Sequence, residues 1–204
     1  MELIDYMKAK ALLQRYHIRS IDSKYVSSAA DAVSFSNGAP IVLKVISQKA
    51  LHKSKNGLVA LDISSQKEIE SSYKKINKNA QKFKPYKILA QKMLKNGLEI
   101  IIGCKTDPQF GKMILIGLGG IYVETFKDFA LRVCPITKYD AESMIAQLKS
   151  GPVIAPDKKA TKMIVDMLIN TSKMFSSNDI TEMDLNPLIL HDGTYDAVDL
   201  RIIR

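Results

Sequence analysis

The stretch NPLILHDGTYDAVDL, residues 186 to 200, fixes more of this chain's geometry than any other of its length. Asp192-Gly193 sits between two apolar runs, and both residue types tolerate the positive φ that a two-residue hairpin turn demands. If the turn forms there, paired residues have numbers that sum to 385, and Asn186 lies directly opposite Asp199. Residues paired in this way hold their side chains roughly 5 Å apart on one face of the sheet. An amide oxygen and a carboxylate at that spacing suit a hard cation such as Mg²⁺, which takes one or two protein oxygens and draws the rest from phosphate and water. The plain alternative is an Asn before proline that ends a strand, with Asp199 exposed on an edge.

Charge is segregated along the chain. Of the net +9, the segment from Lys44 to Lys95 carries 13 lysines against Asp62, Glu68 and Glu70, whereas the rest of the chain is close to neutral. From Met174 to Asp199 there is no Lys or Arg, but there are Asp179, Glu182, Asp184, Asp192, Asp196 and Asp199. A basic region and an acidic end in one chain suit a polyphosphate held with a divalent cation. They suit DNA poorly, because the acidic end repels it. The apolar run MILIGLGGIYV is bracketed by Lys112 and Glu124 and falls short of the roughly 18 residues of a membrane span. The N-terminus is amphipathic and acidic, unlike a secretory signal, so a cytoplasmic protein that binds neither membrane nor nucleic acid is expected. Cys104 and Cys134 have no companions at metal-ligand spacing and read as reduced thiols.

Periodicity predicts an N-terminal helix over about 2–16, and a short helix in SSAADAVSFSNG capped by Ser27 or Ser28 with Gly38 beyond its end. Strands are expected at 41–46 and 58–63, then a helix from the Ser65/Glu68 capping box to about Phe83. KILAQKML, LEIIIGCK and KMILIGLGG, separated by KNG and TDPQFG, predict an antiparallel meander. Helices follow at 138–149 and 158–175, with SGPVIAP read as a loop between them. This order predicts an α+β protein of two lobes with a cleft, not a repeated βαβ dinucleotide fold.

Gly117, Gly119 and Gly120 follow a strongly apolar strand, where glycine lets backbone N–H groups approach a phosphate; a tight turn closing the meander explains them equally well. Arg132 stands in the apolar strand ALRVCPIT, where a guanidinium is costly unless it meets a carboxylate or phosphate. His52 lies in LHKSKNG among Lys49, Lys53 and Lys55, neighbours that disfavour protonation and keep the imidazole nucleophilic. A solvated basic stretch is the bland reading of the same residues. His17 and His191 read as structural or solvent-exposed.

Taken in order, PIVLKVIS then LHKS, GLEIIIG then DPQFG, GLGGIYVE with LRVCPIT, and EMDLNPL followed by AVDLRI resemble the β subunits of ADP-forming (NDP-forming) acyl-CoA synthetases. These are ATP-grasp proteins related to the β subunit of succinyl-CoA synthetase. The resemblance covers nearly the whole chain. It implies an ATP-grasp fold over 1–204, with lobe one at about 19–90 and lobe two at about 91–204 enclosing a nucleotide cleft. It further implies that Lys44 contacts nucleotide phosphates, Gln91, Lys92 and Met93 form the hinge against adenine, and Glu99 faces the ribose. Gly119 and Gly120 would line the phosphate end, Arg132 would stabilise the transferring phosphoryl group, and Asn186 and Asp199 would hold Mg²⁺ beside ATP or ADP. His52 would carry the phosphoryl group. The hinge, commonly VQEM in the family, reads AQKM here, so Lys92 replaces an acid.

No segment resembles a CoA-binding Rossmann fingerprint, so the resemblance implies a CoA-binding α subunit as partner. The whole enzyme would interconvert acyl-CoA, ADP and phosphate with acid, CoA and ATP. The competing expectation is a non-catalytic ATP-grasp module that assembles with or regulates such a partner.

Overall fold

Residues 2–49, 56–120 and 128–204 are described by the computed structural model. Contacts divide the chain into two compact units, residues 21–95 and residues 1–20 with 96–204, each built on an antiparallel sheet.

In residues 21–95 the elements are β1 (Ser23–Val26), α2 (Ala29–Ser36), β2 (Ile41–Ile46), β3 (Val59–Ile63), α3 (Gln66–Ala80) and β4 (Lys87–Lys92). The sheet order is β1-β4-β2-β3. α2 starts at Ser28, whose hydroxyl accepts from the Asp31 amide at 3.1 Å, and α3 starts at the expected Ser65/Glu68 capping box. Each satisfies amides that the first helical turn leaves without a partner. α3 ends at Ala80, and a 3₁₀ turn, Gln81–Phe83, completes the stretch read as one helix. Alternate strand residues, Leu43 and Val45 on β2 and Ile88 and Ala90 on β4, join Ile69, Ile76 and Ala80 of α3 in one buried core. Each fully buried Leu or Ile contributes about 1.5–3 kcal/mol.

The second unit contains β5 (Leu98–Asp107), β6 (Gly111–Leu118), β7 (Phe129–Val133), α4 (Lys138–Gln147), α5 (Gly151–Ile154), α6 (Lys158–Ser177), β8 (Glu182–His191), β9 (Thr194–Ala197) and β10 (Leu200–Ile203), preceded by α1 (Tyr6–Arg15). Its strand order is β10-β8-β5-β6-β7, with β9 paired to β8. α1 packs on β10, α4 on β7, and α6 on both β6 and α4. Under these helices Ile100, Ile102, Ile114, Ile116, Ala130 and Leu185 are fully buried. The β5–β6 turn forms at DPQFG, where the Asp107 carboxylate accepts from the amides of Gln109 and Phe110 at 2.8 and 2.9 Å.

Three local expectations are corrected. KILAQKML does not begin the meander: as β4 it pairs with β1 and β2, and β5 pairs instead with β6 and β8. The buried run Ile88–Gln91 is that of a strand with neighbours on both edges, and the KNG segment is a passage between sheets. SGPVIAP contains the short helix α5, with Pro152 in its first turn where a missing N–H costs nothing. Asp128 accepts from the amides of Lys149 and Ser150 just before it, at 2.9 and 2.8 Å. The first helix runs Tyr6–Arg15 from an Asp5 cap, and ends before His17, whose φ is 56°. Among the described residues no helix is long and apolar enough to cross a membrane.

Candidate functional site

The terminal hairpin turns at Asp192 (φ 45°) and Gly193 (φ 69°), both in the left-handed region that such turns need. Leu188 faces Ala197 and Leu185 faces Leu200, so one register holds on both sides of residues 186–187. The Asn186 N–H donates to the Asp199 carbonyl at 3.1 Å, and the Val198 N–H to the Pro187 carbonyl at 3.0 Å. Against β5 the register slips by one: Ile100 faces Leu188 while Ile102 faces Leu185. Asn186 and Pro187 therefore stand opposite Ile101 alone, and such a bulge re-aims side chains. Asn186 is exposed although its neighbour Leu185 is fully buried.

Asp184, two residues earlier, pairs with Gly103 and Arg201 and shares the strand face of Asn186. Burial pushes its carboxyl above the ordinary range, the nearby Asp199 raises it further, and Arg201 only partly opposes them. Two neighbouring carboxylates and an amide oxygen beside them are a donor set that fits a hard divalent cation. Sequence reasoning singled out Asn186 and Asp199 and missed Asp184. The period-two alternation along EMDLN was the signal that could have found it.

Glu99, on the same unit's β5, is brought together with Gly119 and Gly120. The Gly119 N–H donates to the Glu99 carbonyl at 2.7 Å. A Cβ on Gly119 would lie 2.9 Å from the Glu99 carbonyl carbon and oxygen, and one on Gly120 (φ 69°) would lie 3.1 Å from Glu99 Oε2. Gly119 is thus required by the close approach of the Glu99 backbone, and Gly120 by its positive φ, before any phosphate is considered.

In residues 21–95, Lys44 is only 5% exposed although it stands mid-strand on β2. It pairs with Leu89, while Gln91, 1% exposed, pairs with Val42. Alternation puts Lys44 and Gln91 on one face, opposite the Leu43, Val45, Ile88 and Ala90 that pack towards the helices. Lys92 points the other way. Its ammonium donates to the carbonyls of Phe35 and Ser36 at 3.0 and 2.8 Å and lies 5.1 Å from the Phe35 ring centre, closing the C-terminus of α2. A cation there offsets the partial negative charge of the last turn. The amides of the expected hinge are also engaged, Lys92 N–H with the Asp22 carbonyl and Met93 N–H with that of Pro40, each at 3.0 Å.

Arg132 is not brought to Asn186 and Asp199. It pairs with Ile114, and by alternation it shares the helix-covered face with Ile114, Cys104 and Met183, away from Asp184. Its guanidinium donates to Ser143 Oγ at 2.8 Å and Gln147 Oε1 at 3.1 Å on α4. These bonds supply the polar partners that the sequence required of an arginine in an apolar strand. His52 lies outside the described residues, as do Lys53 and Lys55. His191 is half-buried with Nε2 3.0 Å from Asp196, which also meets Arg19 at 3.4 Å. Burial raises the Cys104 thiol well above its ordinary range and raises that of Cys134.

The family model described as ATP-grasp domain matches residues 2–203, and the chain belongs to that family. Its relatives specify the branch. The β subunit of ADP-forming acetate–CoA ligase II of Pyrococcus furiosus is 37% identical over 215 residues, covering 98% of this chain and 91% of the relative. The β subunit of ligase I from the same organism is 34% identical, covering 96% and 89%. Among solved structures, the dinucleotide-forming acetyl-coenzyme A synthetase 1 of Ca. Korarchaeum cryptofilum with coenzyme A and Ca-AMPCP is 36% identical, with a TM-score of 0.86 over 97% of this chain and 91% of that one. The same enzyme with coenzyme A and Mg-AMPPCP, its phosphohistidine segment pointing towards the nucleotide binding site, gives a TM-score of 0.83 at 35% identity, covering 98% and 92%. The chain is accordingly of the β-subunit type of ADP-forming acyl-CoA synthetases.

Proposed function

We propose that this chain is the nucleotide-handling half of an ADP-forming acyl-CoA synthetase, working with a CoA-binding α subunit. The net reaction converts acyl-CoA, ADP and phosphate into acid, CoA and ATP. The last phosphoryl transfer runs from a phosphohistidine at His52 to the terminal phosphate oxygen of ADP. The P–N bond to the imidazole breaks as the new P–O bond forms, and His52 returns to its free form.

The observation that carries this reading is the shared face of Asp184, Asn186 and Asp199. In this reading Asn186 and Asp199 would hold the Mg²⁺ of the nucleotide, and Asp184 would add a third oxygen. A cation held there would supply neutralisation of phosphate charge, which together with positioning is most of what phosphoryl transfer requires. Lys44 meets the phosphates from mid-strand on β2, on the face it shares with Gln91. Glu99 takes the ribose hydroxyls, with Gly119 and Gly120 holding its backbone in place. Met93 and Gln91 present the hinge to the base, whereas Lys92 serves through its backbone, its ammonium closing α2. Arg132 would have to leave Ser143 and Gln147 to reach a phosphate, and its geometry favours positioning β7 against α4.

The test is transfer of label. Incubation of the chain and its α partner with γ-labelled ATP and Mg²⁺ is expected to give an acid-labile phosphoryl adduct that His52→Ala abolishes. An undiminished adduct in His52→Ala excludes the assignment, and partner binding without any adduct or turnover would mark a non-catalytic module.

A further inference from the structure

One oxygen of the terminal hairpin collects two donors to which the nucleotide reading gives no role. Asp196, on β9, is only 7% exposed, and a carboxylate so placed is costly unless partners surround it. Its Oδ2 meets Arg19 Nη2 at 3.4 Å and His191 Nε2 at 3.0 Å. A carboxylate can only accept, so Nε2 carries the hydrogen. Arg19 reaches further: its Nε donates to the Tyr195 carbonyl at 3.1 Å, so the guanidinium grips two consecutive residues of β9.

These bonds hold residues 19–20 against the edge of β9 that β8 does not occupy. The Ala197 N–H donates to the Arg19 carbonyl at 3.1 Å, and Ser20 pairs with Ala197 in a parallel bridge. The next two amides turn the other way, Val198 and Asp199 both donating to the Pro187 carbonyl at 3.0 and 3.4 Å. The Val198 carbonyl accepts from the Tyr6 hydroxyl at 3.4 Å, and Asp199 Oδ1 accepts from the Leu200 N–H at 3.1 Å. Each amide from Ala197 to Asp199 is therefore engaged, and the run ends on the carboxylate assigned to the cation. A cation ligand works only when held to within about 0.5 Å of its geometry.

We propose that Asp196, joined to Arg19 and His191, is a positioning residue for Asp199, an inference that rests on the cation reading above. Its carboxylate ties β8, through His191, to residues 19–20, through Arg19, with β9 between them. Asp199, three residues further along the same strand segment, takes its place from that bracing. The role runs through the backbone, and a purely stabilising ion pair would show none of the cation dependence expected of it.

The test compares the parent with Asp196→Asn. In the metal-free chain, amide hydrogen exchange at Ala197, Val198 and Asp199 is expected to quicken by about tenfold, the size that follows from losing a hydrogen bond to a charged group. The gain in ADP affinity on adding Mg²⁺, read by calorimetry, should shrink by about fivefold or more, with metal-free ADP affinity close to the parent's. His191→Gln, which keeps an N–H donor, should lose less than His191→Ala. Lys112→Met is the matched control, since it removes an ammonium that donates to the carbonyls of Phe175 and Asn178 at 2.6 and 2.7 Å in the same unit; it should lower the melting midpoint and leave the Mg²⁺ gain intact. Unchanged exchange in Asp196→Asn, an intact Mg²⁺ gain, an equal loss of metal-free affinity, or the same loss in Lys112→Met would overturn the proposal. A parent that itself shows no Mg²⁺ gain would instead remove the cation reading, and this role with it.

Discussion

Asn186 and Asp199 are joined by a backbone hydrogen bond of 3.1 Å at the one place where β8 bulges against β5. The bulge exposes Asn186 while keeping it opposite Asp199. If the pair holds Mg²⁺, ADP should stabilise the chain far more with Mg²⁺ than without it. At a hundredfold excess over the dissociation constant, linkage contributes about 2.7 kcal/mol, or a rise of roughly 5–10 °C for a chain of this size. Asp199→Ala is expected to remove the Mg²⁺-dependent part of that rise, read by a thermal shift with and without the cation.

Asp184 supplies a pH dependence whose sign is fixed by its environment. Its folded carboxyl titrates above the unfolded one because of burial and the adjacent Asp199. The folded state therefore binds the proton more tightly, and stability falls as pH rises from the unfolded carboxyl's range, about 4, through the raised folded one. Asp184→Asn is expected to flatten this fall and to raise the midpoint at pH 7 by about 2 °C. Added Mg²⁺ should raise the parent's midpoint more than the variant's. A parent and variant with parallel midpoint curves from pH 4 to 7 would dismiss the effect.

Lys92→Met keeps the apolar stem but removes the ammonium from the carbonyls of Phe35 and Ser36. Hydrogen bonds to a charged group contribute about 1.5–3 kcal/mol, less where water has access. A fall of roughly 3–6 °C in the midpoint is expected. Lys92→Glu should lower it further, because it sets a negative charge against the negative end of α2. ADP affinity in Lys92→Met is expected within about threefold of the parent, a change of less than 1 kcal/mol.

Arg132→Ala should behave as the loss of a strap between β7 and α4. It breaks the bonds to Ser143 and Gln147, with a cost of about 1–3 kcal/mol. Denaturant melts are expected to shift accordingly. The His52 adduct, measured at a temperature where both proteins are folded, should stay within about tenfold of the parent; a collapse of phosphoryl transfer at unchanged stability would return Arg132 to the reacting group.

Gly119→Ala places a Cβ 2.9 Å from the Glu99 backbone, too close without movement of one strand end. Overpacking of this kind costs about 1–3 kcal/mol. The variant is expected to melt lower and to bind ADP more weakly, through displacement of Glu99, whereas Gly103→Ala, where a Cβ meets nothing within 4 Å, should be nearly silent.

What chain neighbours settle between themselves was legible before folding. Asp192-Gly193 set a register that survives the bulge, so that Asn186 faces Asp199 as expected. Ser28 and the Ser65/Glu68 box start their helices, and Asp107 turns the β5–β6 hairpin, each through bonds spanning two to four residues. Such contacts have little loop entropy to overcome and depend on local chemistry alone. Other features depend on contacts between distant segments. KILAQKML found its partners in β1 and β2, distant in sequence, because an apolar run fits any sheet that buries both its faces. The direction of Lys92 depended on where α2 ends, and that of Arg132 on where α4 packs. The titration of Asp184 depended on how deeply β8 is buried and on the carboxylate that the return strand brings beside it. Burial and long-range charge are properties of an assembled surface, and no window of sequence contains them.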